Sequence, residues 1–578
     1  MARHSYRTIS AWSSLGIAAA LAVSACNGVI SDPGGEPGSG NGSGPGKSNG
    51  ATPPGTINVA ATGLGRMTPT QYENTVRDLF ASPKLVLSLD PDTGQAVSRL
   101  AAEKFNTAAE EITASQGSWG DPIFPCDTSG SEDSACVDTF ISDFGKRAFR
   151  RPVTDEEKAW LRGVYDTARK GQGFRDSLFV VLQVMLQSPQ FLYFLEVGRP
   201  SNGKIAEGVK ALTGFERATR LSYFLWNTTP DTELLLAAEK GELESAQGVK
   251  THALRLLADP RARSQITKFF IDWLELTGTN LHGSLAEAAK DPALFPEDSP
   301  SLRAAMETEV VALVERVVLD GDGKLSTLLT TTEAYVNEPL ATLYGVAGPK
   351  GAQDFQWLNL PATERAGLFT RAAFATLYAS PQVKSPIRRG AFLVEKALCV
   401  HLGEPPPNAN DVPVTGGSVV SNGKTVDLTV REDVEAKTSG PGCNGCHQVL
   451  NPIGFAFDLY DALGRYHDKE TGTGAKGAFS LPVDASGGFP VYDEEDNVTG
   501  KIPVNGAVEF SEQMSQDAAV QRCFARNWFE HAFSRLPVIE DTESMRQLSD
   551  VMQTSGRVDD LIIALTVSDA FLYVKGAP

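Results

Sequence analysis

The sequence predicts a mainly α-helical protein, with several helical domains in series and a small β-hairpin element near the C-terminal region. Three observations carry that prediction. Apolar residues recur at three- and four-residue intervals along most of the chain. Thr residues followed three positions later by Gln or Glu open two of these stretches, the signature of a capping box. Strand patterns are sparse until about residue 479, where short Val, Ile and Phe runs alternate with Gly, Asp and Asn turns.

The first element is a leader. Arg3, His4 and Arg7 precede an apolar run over 15–23, which ends in Val23-Ser24-Ala25-Cys26. A charged start, a short apolar core and small residues before a cut describe a secretory signal peptide over 1–25, and the Cys at the cut resembles a bacterial lipoprotein box. Cleavage would free Cys26 for lipidation, and multiple acylation anchors stably where one chain does not. Asn27 stands where an inner-membrane retention signal would have Asp, so the resemblance implies an outer-membrane lipoprotein facing the periplasm or the surface. Residues 26–56 are Gly, Ser, Pro and Asn with almost no apolar side chains, a composition that cannot bury enough surface to fold, and are read as a disordered tether.

Five units are expected after the tether. Residues 57–136 form a short helical domain opened by Thr68-Pro69-Thr70-Gln71, with Tyr72, Val76, Leu79 and Phe80 on one stripe. A helical-hairpin domain over 137–200 starts a helix at Thr154-Asp155-Glu156-Glu157, with Trp160, Leu161 and Tyr165 inward. Its partner over 174–186 stops before Ser188-Pro189, because the residue before Pro disfavours helical geometry. A helical domain spans 201–350, with patterns over 213–226, 230–240, 247–258, 262–276 and 301–319. Residues 351–475 carry a Cys-x-x-Cys-His motif between loops that Pro405-Pro406-Pro407-Asn408 and the Gly/Ser/Asn stretch to Gly423 announce. The last unit, 476–578, adds the hairpin and helices over 511–536 and 543–572.

A formal charge of −19 and a pI near 4.9 exclude nucleic acid as a partner, since that binding rests on Lys and Arg neutralising phosphates. Arg147, Arg150 and Arg151 could hold an anion, but Arg beside Pro at a helix entry pairs with local carboxylates. Trp226, Trp273 and Trp528 sit among Leu and Phe and read as core. No nucleophile elbow, P-loop or dinucleotide fingerprint is present.

The chemistry lies in Cys443-Asn444-Gly445-Cys446-His447. That spacing is the signature of covalent c-type haem attachment, with two thiols on the haem vinyl groups and His447 as axial iron ligand. Met514, His467 and His531 are the candidate sixth ligands, although Gln513-Met514-Ser515 supplies no apolar shelter in sequence. Seven Cys leave alternatives open. Cys26 is assigned to lipid, and Cys126 with Cys136 would close an Asp/Ser/Gly-rich loop. If haem takes Cys443 and Cys446, Cys399 and Cys523 are left to pair; without haem, four Cys allow three connectivities. Zinc on Cys443, Cys446 and His447 is a third alternative.

Several phrases carry a family resemblance: Tyr72-Glu73-Asn74-Thr75-Val76-Arg77-Asp78-Leu79, Arg147-Ala148-Phe149-Arg150-Arg151-Pro152, Ser188-Pro189-Gln190-Phe191-Leu192-Tyr193, Arg220-Leu221-Ser222-Tyr223-Phe224-Leu225-Trp226-Asn227, Ser385-Pro386-Ile387-Arg388-Arg389-Gly390 and Asn451-Pro452-Ile453-Gly454-Phe455. From about Gly65 to the end the chain resembles the secreted cytochrome-c-like multidomain proteins of planctomycetes and myxobacteria, built from a fixed series of domains of unknown function. The resemblance implies export and a Cys-x-x-Cys-His in the penultimate domain, and it implies no particular reaction. The chain departs from longer members in lacking a separate N-terminal cytochrome domain and in a shortened first domain around 80–115. The expectation is therefore a lipid-anchored envelope protein with one c-type haem and a redox partner protein. The alternative is a non-redox, disulfide-stapled surface scaffold or binding protein for a polysaccharide or protein.

Overall fold

A computed structural model describes residues 56–576, apart from 90–97, 116–118, 120–122, 131–132, 279–282, 404–416, 422–423, 441, 475–476 and 493–497. The signal peptide, Cys26, the tether to residue 55 and the Pro405-Pro406-Pro407-Asn408 loop lie outside the described residues. The protein is mainly helical, with short antiparallel strand pairs and no closed barrel.

Two copies of one helical unit frame the chain. The first opens with strand Gly65–Arg66 and helix Pro69–Leu79, the second with strand Val209–Ala211 and helix Gly214–Trp226. Both helices start on a Thr capping box, Thr68 with Gln71 and Thr213 with Glu216. Both copies close with matching helices, Ser134–Phe149 and Asp155–Ala168 in one, Ala518–Phe533 and Thr542–Ser555 in the other. Each then adds a further helix, Phe174–Gln187 or Val558–Thr566, a one-turn helix, Pro189–Leu192 or Asp569–Leu572, and a final strand that pairs antiparallel with the copy's own first strand.

The details repeat at matching positions. Arg150 and Ser534, the caps of the first closing helices, both take left-handed backbone, φ 60° and 50°. The residue after each, Arg151 or Arg535, grips the carboxylate six positions on with both guanidinium nitrogens, Glu157 at 2.8 and 2.9 Å and Asp541 at 2.6 and 2.9 Å. Ser188 and Ser568 each donate a hydroxyl to the carbonyl three residues back. A guanidinium collects the carbonyls of the closing turn in both copies, but from different places. Arg150 donates to those of Gln190, Phe191 and Tyr193, while Arg220 serves the equivalent Ala570 and Phe571. Buried carbonyls with no ladder partner must find a donor somewhere, and the two copies solve that with different arginines.

The first copy has its own apolar core, centred on Tyr72, Phe140, Leu178 and Phe191; most of the rest of the chain shares a second, and Val430, Val434 and Phe455 form a small third. The second copy is opened between Trp226 and Ala518 by the segment that carries the Cys-x-x-Cys-His motif. A disulfide joins Cys126 to Cys136, and another joins Cys399, within that segment, to Cys523 in the closing helix Ala518–Phe533.

Several sequence expectations are corrected. Trp160 is 44% exposed rather than inward. The helix expected over 301–319 is Pro300–Val314 followed by a π-helical turn, Glu315–Leu319. The pattern over 511–536 is two helices, Ala507–Gln516 and Ala518–Phe533, because Asp517 leaves helical geometry to cap the second. That over 543–572 breaks at Gly556, φ 65°. The single hairpin near 479–504 is two, Lys469–Gly474 with Gly477–Pro482 and Ser486–Tyr492 with Val498–Asn505. Part of the stretch read as loop up to Gly423 is strand Gly417–Ser421, paired with Lys424–Leu428.

Candidate functional site

The motif opens the helix Asn444–Phe455, with Cys443 as its cap residue. Cys443 and Cys446 lie one turn apart and so share a helix face. Neither is in a disulfide; Cys446 is exposed and Cys443 half-buried. Gly440 turns the chain into the helix, its carbonyl accepting from the amides of Cys443 and Asn444 at 3.0 and 2.9 Å.

While this first turn is open, the C-terminal half of the helix is sunk against backbone. A Cβ on Gly454 would lie 2.0 Å from the Pro386 carbonyl oxygen, and one on Gly390 2.5 Å from that of Leu450. A Cβ on Gly487, in the strand Ser486–Tyr492, would lie 2.4 Å from the carbonyl oxygen of Pro452. Helix Pro386–Phe392 and that strand therefore both press on the motif helix where glycine leaves room.

Beneath the crossing lies a layer of buried charge. Arg389, wholly buried, donates to the carbonyls of Ala375, Phe457, Tyr460 and Asp461. Lys384 donates to the Asp458 carbonyl at 2.8 Å and pairs with Glu470 at 2.8 Å. Burial pushes the Asp458 carboxyl up to about 6, with Lys384 opposing. These groups hold the turn that follows the motif helix.

His447 is half-buried at the edge of a cavity of about 430 Å³, whose walls include Arg431, Thr438, Asn451, Phe455 and Lys501. The Arg431 guanidinium covers the Phe455 ring at 4.4 Å and donates to the Ser486 carbonyl at 2.6 Å. The Nδ1 of His447 lies 2.9 Å from the Asn451 Oδ1, and the Asn451 Nδ2 donates to the Thr438 Oγ1 at 3.0 Å. Thr438 does not stand out in the sequence, and Asn451 does so only as the first residue of the phrase Asn451-Pro452-Ile453-Gly454-Phe455. The four-residue spacing from His447 to Asn451 puts both on one helix face.

The three candidate sixth ligands do not line this cavity. Met514 is 1% exposed in the large core, so its fold neighbours supply the apolar shelter that its sequence neighbours lack. His531 packs edge-on against Phe269 and Trp528 at 5.3 and 5.7 Å, and burial lowers its pKa to about 4. His467 is likewise lowered to about 4, first by burial and then by Lys384.

The donor set fits a covalently held haem: two unpaired thiols on one exposed turn, an adjacent imidazole with one nitrogen already engaged, and open space beside it. It does not fit a ready-made zinc site, because among the described residues no three His, Cys, Asp or Glu side chains gather as ligands. Cys443 and Cys446 cannot cross-link to Cys399 or Cys523, which bond to each other. Among the described residues no helix is long and apolar enough to cross a membrane.

Four family models match in series, each described as a protein of unknown function: DUF1595 over 136–196, DUF1592 over 212–346, DUF1588 over 365–470 and DUF1585 over 501–571. The motif lies in the third. The first and fourth cover the closing helices of the two copies, so two separate family models fall on the same order of elements. No curated protein and no solved structure matches the chain.

Proposed function

We propose, from the premise that this chain belongs to the cytochrome-c-like multidomain family built from these domains in series, that it is a lipid-anchored, single-haem electron carrier of the cell envelope. The observation that carries the reading is the state of the motif. Four of the six cysteines downstream of Cys26 are consumed by two disulfides, and the pair left unbonded is Cys443 and Cys446.

In this reading Cys443 and Cys446 would hold the cofactor covalently through their sulfurs, and His447 would bind its iron. Bound haem would supply one-electron transfer. Thr438 and Asn451 hold the imidazole, and the cavity is also lined by Lys501 and by Arg431 paired with Glu435. Cys26 would carry the lipid, and the tether would let the folded part stand off the membrane toward a redox partner.

The test is expression with a cytochrome c maturation system. Haem that survives acidic organic extraction, with a Soret band lost in Cys443→Ala and Cys446→Ala, is the expected result. Purified protein with no Soret band ends the reading and leaves the disulfide-stapled scaffold.

A further inference from the structure

Thr438, Asn451 and His447 form a hydrogen-bond series whose direction can be worked out from its end. The Thr438 Oγ1 lies 2.7 Å from the Val434 carbonyl oxygen. A carbonyl has no hydrogen, so two oxygens this close require the hydroxyl to donate its single proton there. Thr438 can then only accept from Asn451, 3.0 Å away, which makes the nearer Asn451 atom the NH₂. That orientation turns the amide oxygen toward His447 Nδ1, 2.9 Å away, and an amide oxygen only accepts. In the neutral ring the proton must therefore sit on Nδ1, leaving Nε2 with the lone pair.

Burial enforces the series. Thr438 is 8% and Asn451 9% exposed, so a reversed amide would set the Asn451 oxygen against the Thr438 lone pairs with little water to compensate. The anchor belongs to a different helix, Val430–Thr438, whose own capping box, Thr429 with Glu432, fixes its start. Both helices thus contribute to the state of one imidazole.

We infer that Asn451, oriented by Thr438, is a positioning residue that sets the tautomer of His447 so that Nε2 is presented as a ligand before any metal arrives. The consequence for iron rests on the haem reading above; the tautomer itself does not. With iron on Nε2, the Nδ1–H···O bond raises the donor strength of the ring and favours the ferric state.

The experiment reads both levels. In protein expressed without haem, labelled with ¹⁵N-histidine and held at alkaline pH so that the ring is neutral, the His447 signals, assigned by their loss in His447→Gln, should show a protonated Nδ1 and a bare Nε2. Asn451→Leu and the near-isosteric Thr438→Val should each shift the ring toward a mixture, while Asn451→Asp, which still accepts, should retain the wild-type tautomer. A wild-type ring protonated on Nε2, or an unchanged ring in Asn451→Leu, overturns the inference. Should Asn451→Leu fail to fold, Thr438→Val decides, and an unchanged ring there overturns it equally. In haem-loaded protein, voltammetry should place the midpoint potential of Asn451→Leu above wild type and that of Asn451→Asp below it; potentials that do not move overturn the consequence for iron. Wild-type protein that takes up no haem ends the electron-carrier reading and leaves the tautomer measurement to decide this one.

Discussion

Gly454→Ala adds one methyl group to the motif helix at the point where it meets Pro386–Phe392. The new Cβ would lie 2.0 Å from the Pro386 oxygen and 2.7 Å from its carbon, and neither atom can rotate away. Restoring a contact of about 3.5 Å requires the helices to part by more than about 1 Å. Overpacking of this kind costs about 1–3 kcal/mol, and backbone on both sides of the clash puts it at the upper end. Replacing glycine by alanine inside a helix returns about 1 kcal/mol, so the net expectation is a loss of about 2 kcal/mol.

The same substitution at Gly445 is the internal control. It sits in the first turn of the same helix with no atom within 4 Å of its added Cβ. There only the propensity gain remains, and Gly445→Ala should be neutral to about 1 kcal/mol more stable. Gly390→Ala should behave like Gly454→Ala, and once the helices have parted for one methyl they have room for the other. The double variant should therefore cost less than the sum, with a coupling of about 1 kcal/mol or more. Urea midpoints at constant slope give all four values. A neutral or stabilised Gly454→Ala, or strict additivity with Gly390→Ala, would refute the crossing as drawn.

Two further outcomes follow from buried charge. Asp458 holds its proton to about pH 6 in the folded protein but only to about pH 4 when unfolded, so the stability it lends is full below about pH 4 and lost as pH rises through 6. Asp458→Asn should therefore gain on wild type by up to about 3 kcal/mol between pH 4 and pH 7, read from urea unfolding at both; a constant difference sinks the argument. At the repeated helix junctions, Asp541 is wholly buried whereas the Glu157 side chain is 12% exposed. Arg535→Ala strands a buried carboxylate and should cost about 3–5 kcal/mol. Arg151→Ala leaves Glu157 within reach of water and should cost about 1–3 kcal/mol, so thermal unfolding that reverses this order would contradict the assignment.

What the sequence made legible was whatever depends on neighbours along the chain. The Thr68 and Thr154 boxes form with the partners that their spacing names, Gln71 and Glu157. The thiols and the imidazole were equally plain, because Cys443, Cys446 and His447 fall within five consecutive residues. Breaks at Asp517 and Gly556 were not, since the apolar period runs on across both and only the cap geometry interrupts the helix. Asn451 was illegible for a different reason: its role depends on Thr438, a residue of another helix that reaches it only once the chain has folded. The duplicated unit escaped because its copies share spacing more than residues. Arg151 and Arg535, or Phe191-Leu192-Tyr193 and Phe571-Leu572-Tyr573, are recognisable pairs, but the guanidinium that closes the turn comes from Arg150 in one copy and Arg220 in the other.

That duplication bears on how the motif is held. The second copy is completed only after the inserted segment returns, when Leu212 N–H reaches the Leu572 carbonyl and Arg220 reaches Ala570 and Phe571. The insert is fastened to this frame at several places, among them Leu325 N–H to the Gly556 carbonyl and Val558 N–H to that of Gly323, and one of them lies close to the motif. Lys396, three residues before Cys399, presents its carbonyl to Trp273 Nε1 and to Asn527 Nδ2 at 3.0 and 2.9 Å, and Cys399 is bonded to Cys523 one turn before Asn527. Three residues beyond Cys399, the carbonyl of Leu402 lies 3.5 Å from the Cys446 sulfur. The exposed turn that carries the thiols is thus tied within a few residues to a covalent link with the frame, while its far end is wedged by Gly390, Gly454 and Gly487. A ligand held on that turn would be rigidly placed relative to the closing helices of the second copy, which is the condition an electron carrier must meet to dock a partner in one orientation.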